Sequence, residues 1–171
     1  STAKSIELSR KLAAAGADGL LTVVPYYNRP TQEGLYRHFS AIADSVNVPV
    51  ILYNVPGRTV CDMLPETVVR LSEHPRIVGI KEATGDMSRA ESILGAARPG
   101  FLLLSGDDPT AAELMKRGAR GVISVTANVA PRAMHDMCIA ALECRYADAS
   151  ALNEQLMPLH LAMFVEPNPI P

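Results

Sequence analysis

Lys81 is the residue whose type and position most directly suggest chemistry. It ends the apolar run Ile77-Val-Gly-Ile80, at a position where an aliphatic residue is expected. In an apolar pocket, desolvation penalises the cation and favours the neutral amine, which can attack a ketone and form an imine. By strand alternation Ile77, Gly79 and Lys81 share one face, and the glycine would leave room beside the lysine. The alternative is a strand-end lysine that reaches solvent or pairs with Glu82.

Two tyrosines and an arginine also follow strand-like runs. Tyr53 and Tyr27 could transfer protons through their phenols. The alternative is packing in a core or interface, since a tyrosine taken alone is more often structural. Arg58 lies in a Pro-Gly turn, where a guanidinium could hold a carboxylate in a bidentate pair; the alternative is a solvated loop arginine. The pair Asp107-Asp108 could suggest acid–base chemistry, but Asp108 followed by a proline is typical of a helix N-cap.

The elements that must position these residues are five short, near-continuous apolar runs. The runs are Gly19–Val24, Val50–Asn54, Ile77–Lys81, Phe101–Ser105 and Gly121–Val125. Strands of this composition are typical of parallel sheets that helices cover on both faces. In such folds functional residues gather at the C-terminal ends of the strands, where Lys81 and Tyr53 lie.

Helical patterns alternate with the runs, which predicts a parallel α/β fold. Thr31 is expected to cap one helix and Pro131 to begin another, and the first helix is expected to end at Gly16. A doubly wound sheet and a closed barrel both fit, and the lack of G-x-G-x-x-G after a strand weakens the dinucleotide-binding version. Because an eight-unit barrel needs about 250 residues, we expect its first three βα units to lie outside this sequence.

Composition excludes several classes of function. The 171 residues are 48% hydrophobic and carry a formal net charge of −2, and no basic run indicates nucleic-acid binding. No apolar stretch has the length of a membrane span, and the N-terminus does not read as a signal peptide. The three cysteines show no C-x-x-C spacing, which favours reduced thiols and a cytoplasmic protein.

Motifs along essentially the whole chain resemble the dihydrodipicolinate synthase branch of the N-acetylneuraminate lyase superfamily of pyruvate-dependent class I aldolases. The matching stretches are Pro25–Pro30, Tyr53–Thr59, Gly79–Gly85, Leu104–Asp108 and Gly121–Val125. The resemblance implies a (β/α)8 TIM barrel, of which residues 1–145 would supply strands 4–8. Residues 146–171 would begin the C-terminal helical extension of that family.

The resemblance also implies an activity. The enzyme would be a lyase that joins pyruvate to L-aspartate 4-semialdehyde, giving 4-hydroxy-tetrahydrodipicolinate in lysine and diaminopimelate biosynthesis. Lys81 would form the imine with pyruvate and Tyr53 would relay protons beside it. Tyr27 would be the relay tyrosine that enters a neighbouring subunit's site, and Arg58 would hold the carboxylate of the aldehyde. No metal or organic cofactor is expected, because the imine itself is the electron sink.

Further positions carry over from the family. Gly106 and Ile123 would line the pyruvate pocket through their backbones, and the family's usual assembly is a homodimer or homotetramer. The threonine pair that completes the family's proton relay belongs to an earlier strand and is not in this sequence. Tyr26 matches a residue of the allosteric lysine site, but Lys4 stands where lysine-sensitive members have an acid, so strong inhibition by lysine is not expected.

Two alternatives remain. One is a sister aldolase acting on N-acetylneuraminate or 2-keto-3-deoxygluconate, although Arg58 argues against a sugar substrate. The other is a non-catalytic barrel that binds small molecules, in which Lys81 would be a buried salt-bridge partner and Tyr27 would pack at an interface.

Overall fold

The chain contains four strands and eight α-helices, and at least one helix separates each strand from the next. The computed structural model describes residues 1–171. The strands are β1 (Leu20–Val23), β2 (Val50–Asn54), β3 (Ile77–Glu82) and β4 (Leu102–Ser105). The helices are α1 (Thr2–Ala14), α2 (Gln32–Asp44), α3 (Pro56–Thr59), α4 (Pro65–Ser72), α5 (Met87–Ala96), α6 (Ala111–Lys116), α7 (Pro131–Leu142) and α8 (Tyr146–Ala162), with a 3-10 turn at Thr126–Asn128. The chain divides into two compact units, Ser1–Leu103 and Leu104–Pro171.

The first unit is built on a parallel sheet. Its strands follow the order β1-β2-β3-β4, and the first two residues of β4 belong to this unit. Val23 is the register partner of Tyr53, and Tyr53 is the partner of Lys81, so these three residues form one row across β1, β2 and β3. Leu52 and Asn54, the neighbours of Tyr53, are fully buried on the opposite face, as strand alternation requires.

An irregularity in β3 corrects one prediction about the lysine strand. Val50 pairs with Ile77, but the next residue, Ile51, pairs with Gly79, which leaves Val78 as an extra residue. Ile77 therefore lies on the buried face with Ile80, and only Gly79 shares the face of Lys81. The sequence could not reveal this change of face, because a β-bulge leaves no composition signal in an apolar run.

Gly79 does not leave room beside the lysine, which is a second correction. A Cβ added to Gly79 would lie 2.5 Å from the carbonyl oxygen of Leu102 and 2.9 Å from its Cβ. The space is thus filled by β4. Glycine is needed here because the neighbouring backbone approaches too closely for any side chain.

Helix ends in the first unit follow the capping chemistry of the sequence. Thr31 accepts a hydrogen bond from the Gly34 amide at 3.1 Å, as predicted, and Asp86 caps α5 by accepting from the Arg89 amide at 3.2 Å. The apolar stripe of α2 is fully buried at Leu35, Phe39 and Ile42. The caps fix where α2 and α5 begin, and the buried stripe places one face of α2 in the core.

The second unit corrects two further predictions. The run Gly121–Val125 does not form a fifth strand, since its ladder with β4 is limited to one bridge, between Ser105 and Val122. The amides of Val125 and Thr126 instead donate to the Asp108 carboxylate, at 3.0 and 2.8 Å. These bonds to Asp108 hold the backbone at the start of the 3-10 turn, so the pairing with β4 ends after the bridge at Val122.

The same contacts show that Asp108 is not the N-cap of the following helix. α6 begins at Ala111, and it is Asp107 that accepts from the Thr110 amide and hydroxyl, at 3.2 and 2.6 Å. Pro131 does open α7, as predicted. In α8 the fully buried His160 shares a 2.7 Å hydrogen bond with the Thr126 hydroxyl. Among the helices, none combines the length and the hydropathy that crossing a membrane would require.

Candidate active site

Lys81 and Tyr53 form the centre of the candidate site. They are register partners on the adjacent parallel strands β3 and β2, close to the C-terminal end of each strand. The Lys81 ammonium nitrogen lies 4.4 Å from the centre of the Tyr53 ring. A cation at that distance is attracted by the ring face. The structure therefore brings together the amine and the phenol on which the predicted imine chemistry depends.

The environment of Tyr53 suits a proton donor. Burial raises the pKa of its phenol above the ordinary value of 10.0, and the charge of Arg58 partly opposes that shift. The phenol therefore keeps its proton at neutral pH. It can donate that proton to an oxygen that gains negative charge beside it.

Arg58 lies near this pair but on a separate element. It is exposed on the four-residue helix α3, which begins at Pro56, immediately beyond β2. Its guanidinium is close enough to Tyr53 for its charge to offset part of the rise in the pKa of the phenol that burial causes. A cation at this strand end can attract an anionic substrate towards the amine.

Glu82 does not serve as the strand-end partner that the alternative interpretation gives to Lys81. Consecutive strand residues point to opposite faces. Lys81 is half-buried, whereas Glu82 is only 2% exposed and forms a 2.9 Å ion pair with Arg89 of α5. The Glu82 carboxylate therefore lies on the face of the sheet opposite to Lys81, where it pairs with Arg89. That Lys81 is held as a neutral amine stays a prediction.

Tyr26 and Tyr27 line a different part of the first unit. They border a cleft of about 790 Å³ between α1, β1 and α2, which Lys4 also lines. Tyr27 is 92% exposed and has a left-handed backbone, with φ of 73°. A bulky residue rarely adopts this conformation, and such strain is concentrated at functional sites. The side chain is thus almost fully accessible on this chain.

Gly106 and Ile123 lie in the second unit. The Ile123 amide donates to the Ser105 carbonyl at 2.9 Å, and the Ser105 amide donates to the Gly121 carbonyl at 2.8 Å. Gly106 follows directly after β4. Both positions therefore lie at the same end of this short parallel pairing.

The sequence analysis missed a set of polar residues behind Lys81 and Tyr53. Asn54, Glu82 and the Arg89 side chain are buried and form a cluster with Asp62, whose side chain is 40% exposed. A signal was present, because Asn54 and Glu82 are polar residues within strand runs that are buried on both faces, and buried polar groups require partners. No group of three or more His, Cys, Asp or Glu side chains is arranged to hold a metal ion.

Comparison with known proteins identifies relatives over the whole chain. The model of the dihydrodipicolinate synthetase family matches residues 1–171. The 4-hydroxy-tetrahydrodipicolinate synthase of Stutzerimonas stutzeri is 61% identical over all 171 residues, and that of Ectopseudomonas mendocina is 62% identical. In both comparisons the chain spans 59% of the relative's length.

Solved structures give the same result for the fold. The chloride-inhibited dihydrodipicolinate synthase from Acinetobacter baumannii, solved with pyruvate, superimposes with a TM-score of 0.97 at 52% identity. The match covers 99% of this chain and 58% of that enzyme. The predicted fold class, a parallel α/β chain that corresponds to part of a (β/α)8 barrel, is confirmed.

Proposed function

The chain belongs to the dihydrodipicolinate synthetase family, and on that premise we propose that the protein is a lyase that condenses pyruvate with L-aspartate 4-semialdehyde. The observation that carries the proposal is the pairing of Lys81 with Tyr53, whose ring centre lies 4.4 Å from the amine. An amine beside a protonated phenol, at the C-terminal end of a parallel sheet, is the arrangement that imine chemistry needs.

The first half of the reaction forms the nucleophile. The neutral Lys81 amine adds to the keto carbon of pyruvate, and one of its protons passes to the former keto oxygen. Tyr53 then donates a second proton, so that the oxygen leaves as water and yields the protonated imine and a Tyr53 phenolate. The Tyr53 phenolate then takes a proton from the pyruvate methyl group, which gives an enamine, with the imine nitrogen accepting the electron pair. Neither step needs a metal or an organic cofactor.

The second half forms the carbon–carbon bond. The enamine carbon attacks the aldehyde carbon of the semialdehyde, and the aldehyde oxygen takes up a proton through the phenols. Attack of the substrate's own amino group on the imine carbon closes the ring and releases Lys81, giving 4-hydroxy-tetrahydrodipicolinate. Arg58 holds the carboxylate of the aldehyde substrate, for which its guanidinium and exposed position are suited.

Assembly is part of this proposal. Tyr27 is 92% exposed, so we assign it to the proton relay of a neighbouring subunit in a homodimer or homotetramer. The backbones of Gly106 and Ile123 line the pyruvate pocket. Tyr26 belongs to a regulatory site, where the cation of Lys4 would repel the ammonium group of a lysine effector.

The proposed organisation follows the family. Residues 1–145 form the barrel part and residues 146–171 begin the C-terminal helical region. The enzyme acts in the cytoplasm, in lysine and diaminopimelate biosynthesis.

Borohydride reduction of the full-length protein in the presence of pyruvate tests the proposal. We expect peptide mass spectrometry to find a carboxyethyl group on Lys81, and none when pyruvate is omitted. Labelling of a different lysine in an active enzyme would refute the assignment.

The choice of aldehyde is tested separately. Turnover with aspartate semialdehyde is expected, and cleavage of N-acetylneuraminate or 2-keto-3-deoxygluconate is not. Reversible pyruvate binding without turnover of any of these substrates would favour a binding module.

A further inference from the structure

The residues that follow Tyr53 and Lys81 lie on the opposite face of the sheet, in one buried cluster. Asn54 is fully buried and Glu82 is 2% exposed. The Asn54 amide nitrogen donates to the two Glu82 carboxylate oxygens, at 3.2 and 3.4 Å. These bonds connect the ends of β2 and β3 directly behind the row that contains the amine and the phenol.

Arg89 of α5 binds this cluster with its whole guanidinium. Its Nε donates to Glu82 at 2.9 Å, its Nη1 donates to Asp62 at 3.2 Å, and its Nη2 donates to the Met63 carbonyl. The Arg89 side chain is 9% exposed. One planar group therefore joins β3 to the segment that follows α3, the helix that carries Arg58.

Asn54 closes the cluster from the other side. Its side-chain oxygen accepts from the Met63 amide at 3.0 Å, and its amide nitrogen donates to Asp62 at 3.0 Å. The Thr84 amide donates to Glu82 at 3.0 Å, which also fixes the start of the loop after β3. The contacts of Glu82 and Thr84 restrain the chain within three residues of Lys81. Those of Asp62 and Met63 restrain it within ten residues of Tyr53.

We propose that Arg89 is a positioning residue for the imine chemistry: it locks the ends of β2 and β3 so that the Lys81 amine stays over the Tyr53 ring. The inference rests on the proposed function. It assigns no contact between Arg89 and a substrate. Arg89 acts through Glu82 and Asp62, and its fork geometry matters because a point charge cannot hold both carboxylates and the Met63 carbonyl at once.

The variants separate positioning from stability. Arg89→Met removes the charge and the fork but keeps most of the side-chain volume, and Arg89→Lys keeps the charge alone. Because Arg89→Met leaves Glu82 buried without its cation, the double variant Arg89→Met/Glu82→Gln removes both charges and keeps the protein folded if the single variant fails. The control is Arg70→Met, since Arg70 is also ion-paired, to Glu33, but lies on the surface outside the cluster.

The kinetic measurement is the rate at which pyruvate is trapped on Lys81, together with kcat and KM, well below each variant's unfolding temperature. We expect trapping and kcat to fall about 10- to 100-fold in Arg89→Met and in the double variant, as misplacement of reacting groups by about 1 Å predicts. Arg89→Lys should be intermediate and Arg70→Met unchanged. Wild-type rates in a folded but less stable Arg89→Met protein would overturn the proposal and leave a purely structural role.

A second measurement does not require activity. In protein whose lysines carry 13C-methyl groups, the Lys81 resonance should be displaced by the ring current of Tyr53, and Tyr53→Leu identifies that displacement. We expect the displacement to be lost in Arg89→Met and kept in Arg70→Met. If the wild type fails to trap pyruvate, the proposed function is wrong, whereas an unchanged Lys81 resonance in Arg89→Met rejects the positioning role itself.

Discussion

The Lys81 amine lies 4.4 Å from the centre of the Tyr53 ring because the two residues are register partners on neighbouring parallel strands. Their spacing is set by main-chain pairing rather than by a flexible loop. A site built on paired strands is held more precisely than one built on loops. The predictions below follow from this pair and from the elements that support it.

Replacing Tyr53 by phenylalanine should slow proton transfer while leaving the lysine able to react. We expect kcat to fall by about 10²- to 10⁴-fold, the usual contribution of a positioned acid or base. Pyruvate should still be trapped on Lys81, but more slowly, because Tyr53 also supplies a proton for imine formation. Steady-state kinetics and borohydride trapping measure the two effects. Tyr36→Phe, on α2, is the matched control, and an equal loss in that variant would remove the special role of Tyr53.

Arg58 should affect the aldehyde substrate rather than pyruvate. Loss of a charge-assisted pair of about 1.5–3 kcal/mol predicts that Arg58→Leu raises KM for aspartate semialdehyde roughly 10- to 100-fold. The rate of imine formation with pyruvate alone should stay close to that of the wild type. A similar loss for both substrates would show that Arg58 acts on Lys81 or Tyr53 instead.

Gly79→Ala should destabilise the protein by about 1–3 kcal/mol, the usual cost of overpacking. The added methyl would lie 2.5 Å from the Leu102 carbonyl oxygen, so β3 and β4 would have to separate. Gly95→Ala on α5 is the control, because nothing lies within 4 Å of its added Cβ and alanine favours the helix. Denaturant unfolding should therefore give shifts of opposite sign, and equal shifts would contradict the packing argument.

His160 should make stability depend on pH. Burial lowers the pKa of His160 below its ordinary value of 6.5, against the opposing charges of Asp108 and Asp107. The unfolded chain then binds a proton that the native state does not, so stability is complete above pH 6.5 and falls as the pH drops towards the lower native pKa.

Unfolding temperatures measured on both sides of that value test this prediction. His160→Gln should show a weaker pH dependence than the wild type. The exposed His135→Gln should keep the wild-type dependence. Parallel curves for all three proteins would mean that His160 titrates alike in the folded and unfolded states.

The sequence predicts the alternating α/β order because that order depends on local signals, whereas the roles of the candidate site residues are what the family resemblance implies. Apolar runs mark β2 and β3, and the residues at their ends stand out by type. The fifth run does not form a strand because the amides of Val125 and Thr126 donate to the Asp108 carboxylate. These two residues lie 17 and 18 positions after Asp108, so no local pattern indicates the contacts. The position of Ile77 on the face opposite to Lys81 likewise depends on how β3 pairs with β2, which the local sequence pattern does not indicate.

The cluster behind the site shows the limit of reasoning from single residues. Arg89 looks like an ordinary polar residue on a helix, since its partners Glu82 and Asp62 come from two other segments. Only the unexplained polarity of Asn54 and Glu82 within buried strands indicated that a partner was required.

The bond between Glu82 and Arg89 spans seven residues of sequence and crosses the loop from Ala83 to Asp86. One residue inserted there would offset the helix by about 100° of rotation and carry the guanidinium away from its carboxylate. Homologues that retain the pair should therefore have a loop of constant length at this point. Insertions and deletions should accumulate instead in connections such as Ala97–Phe101, which lead away from the lysine.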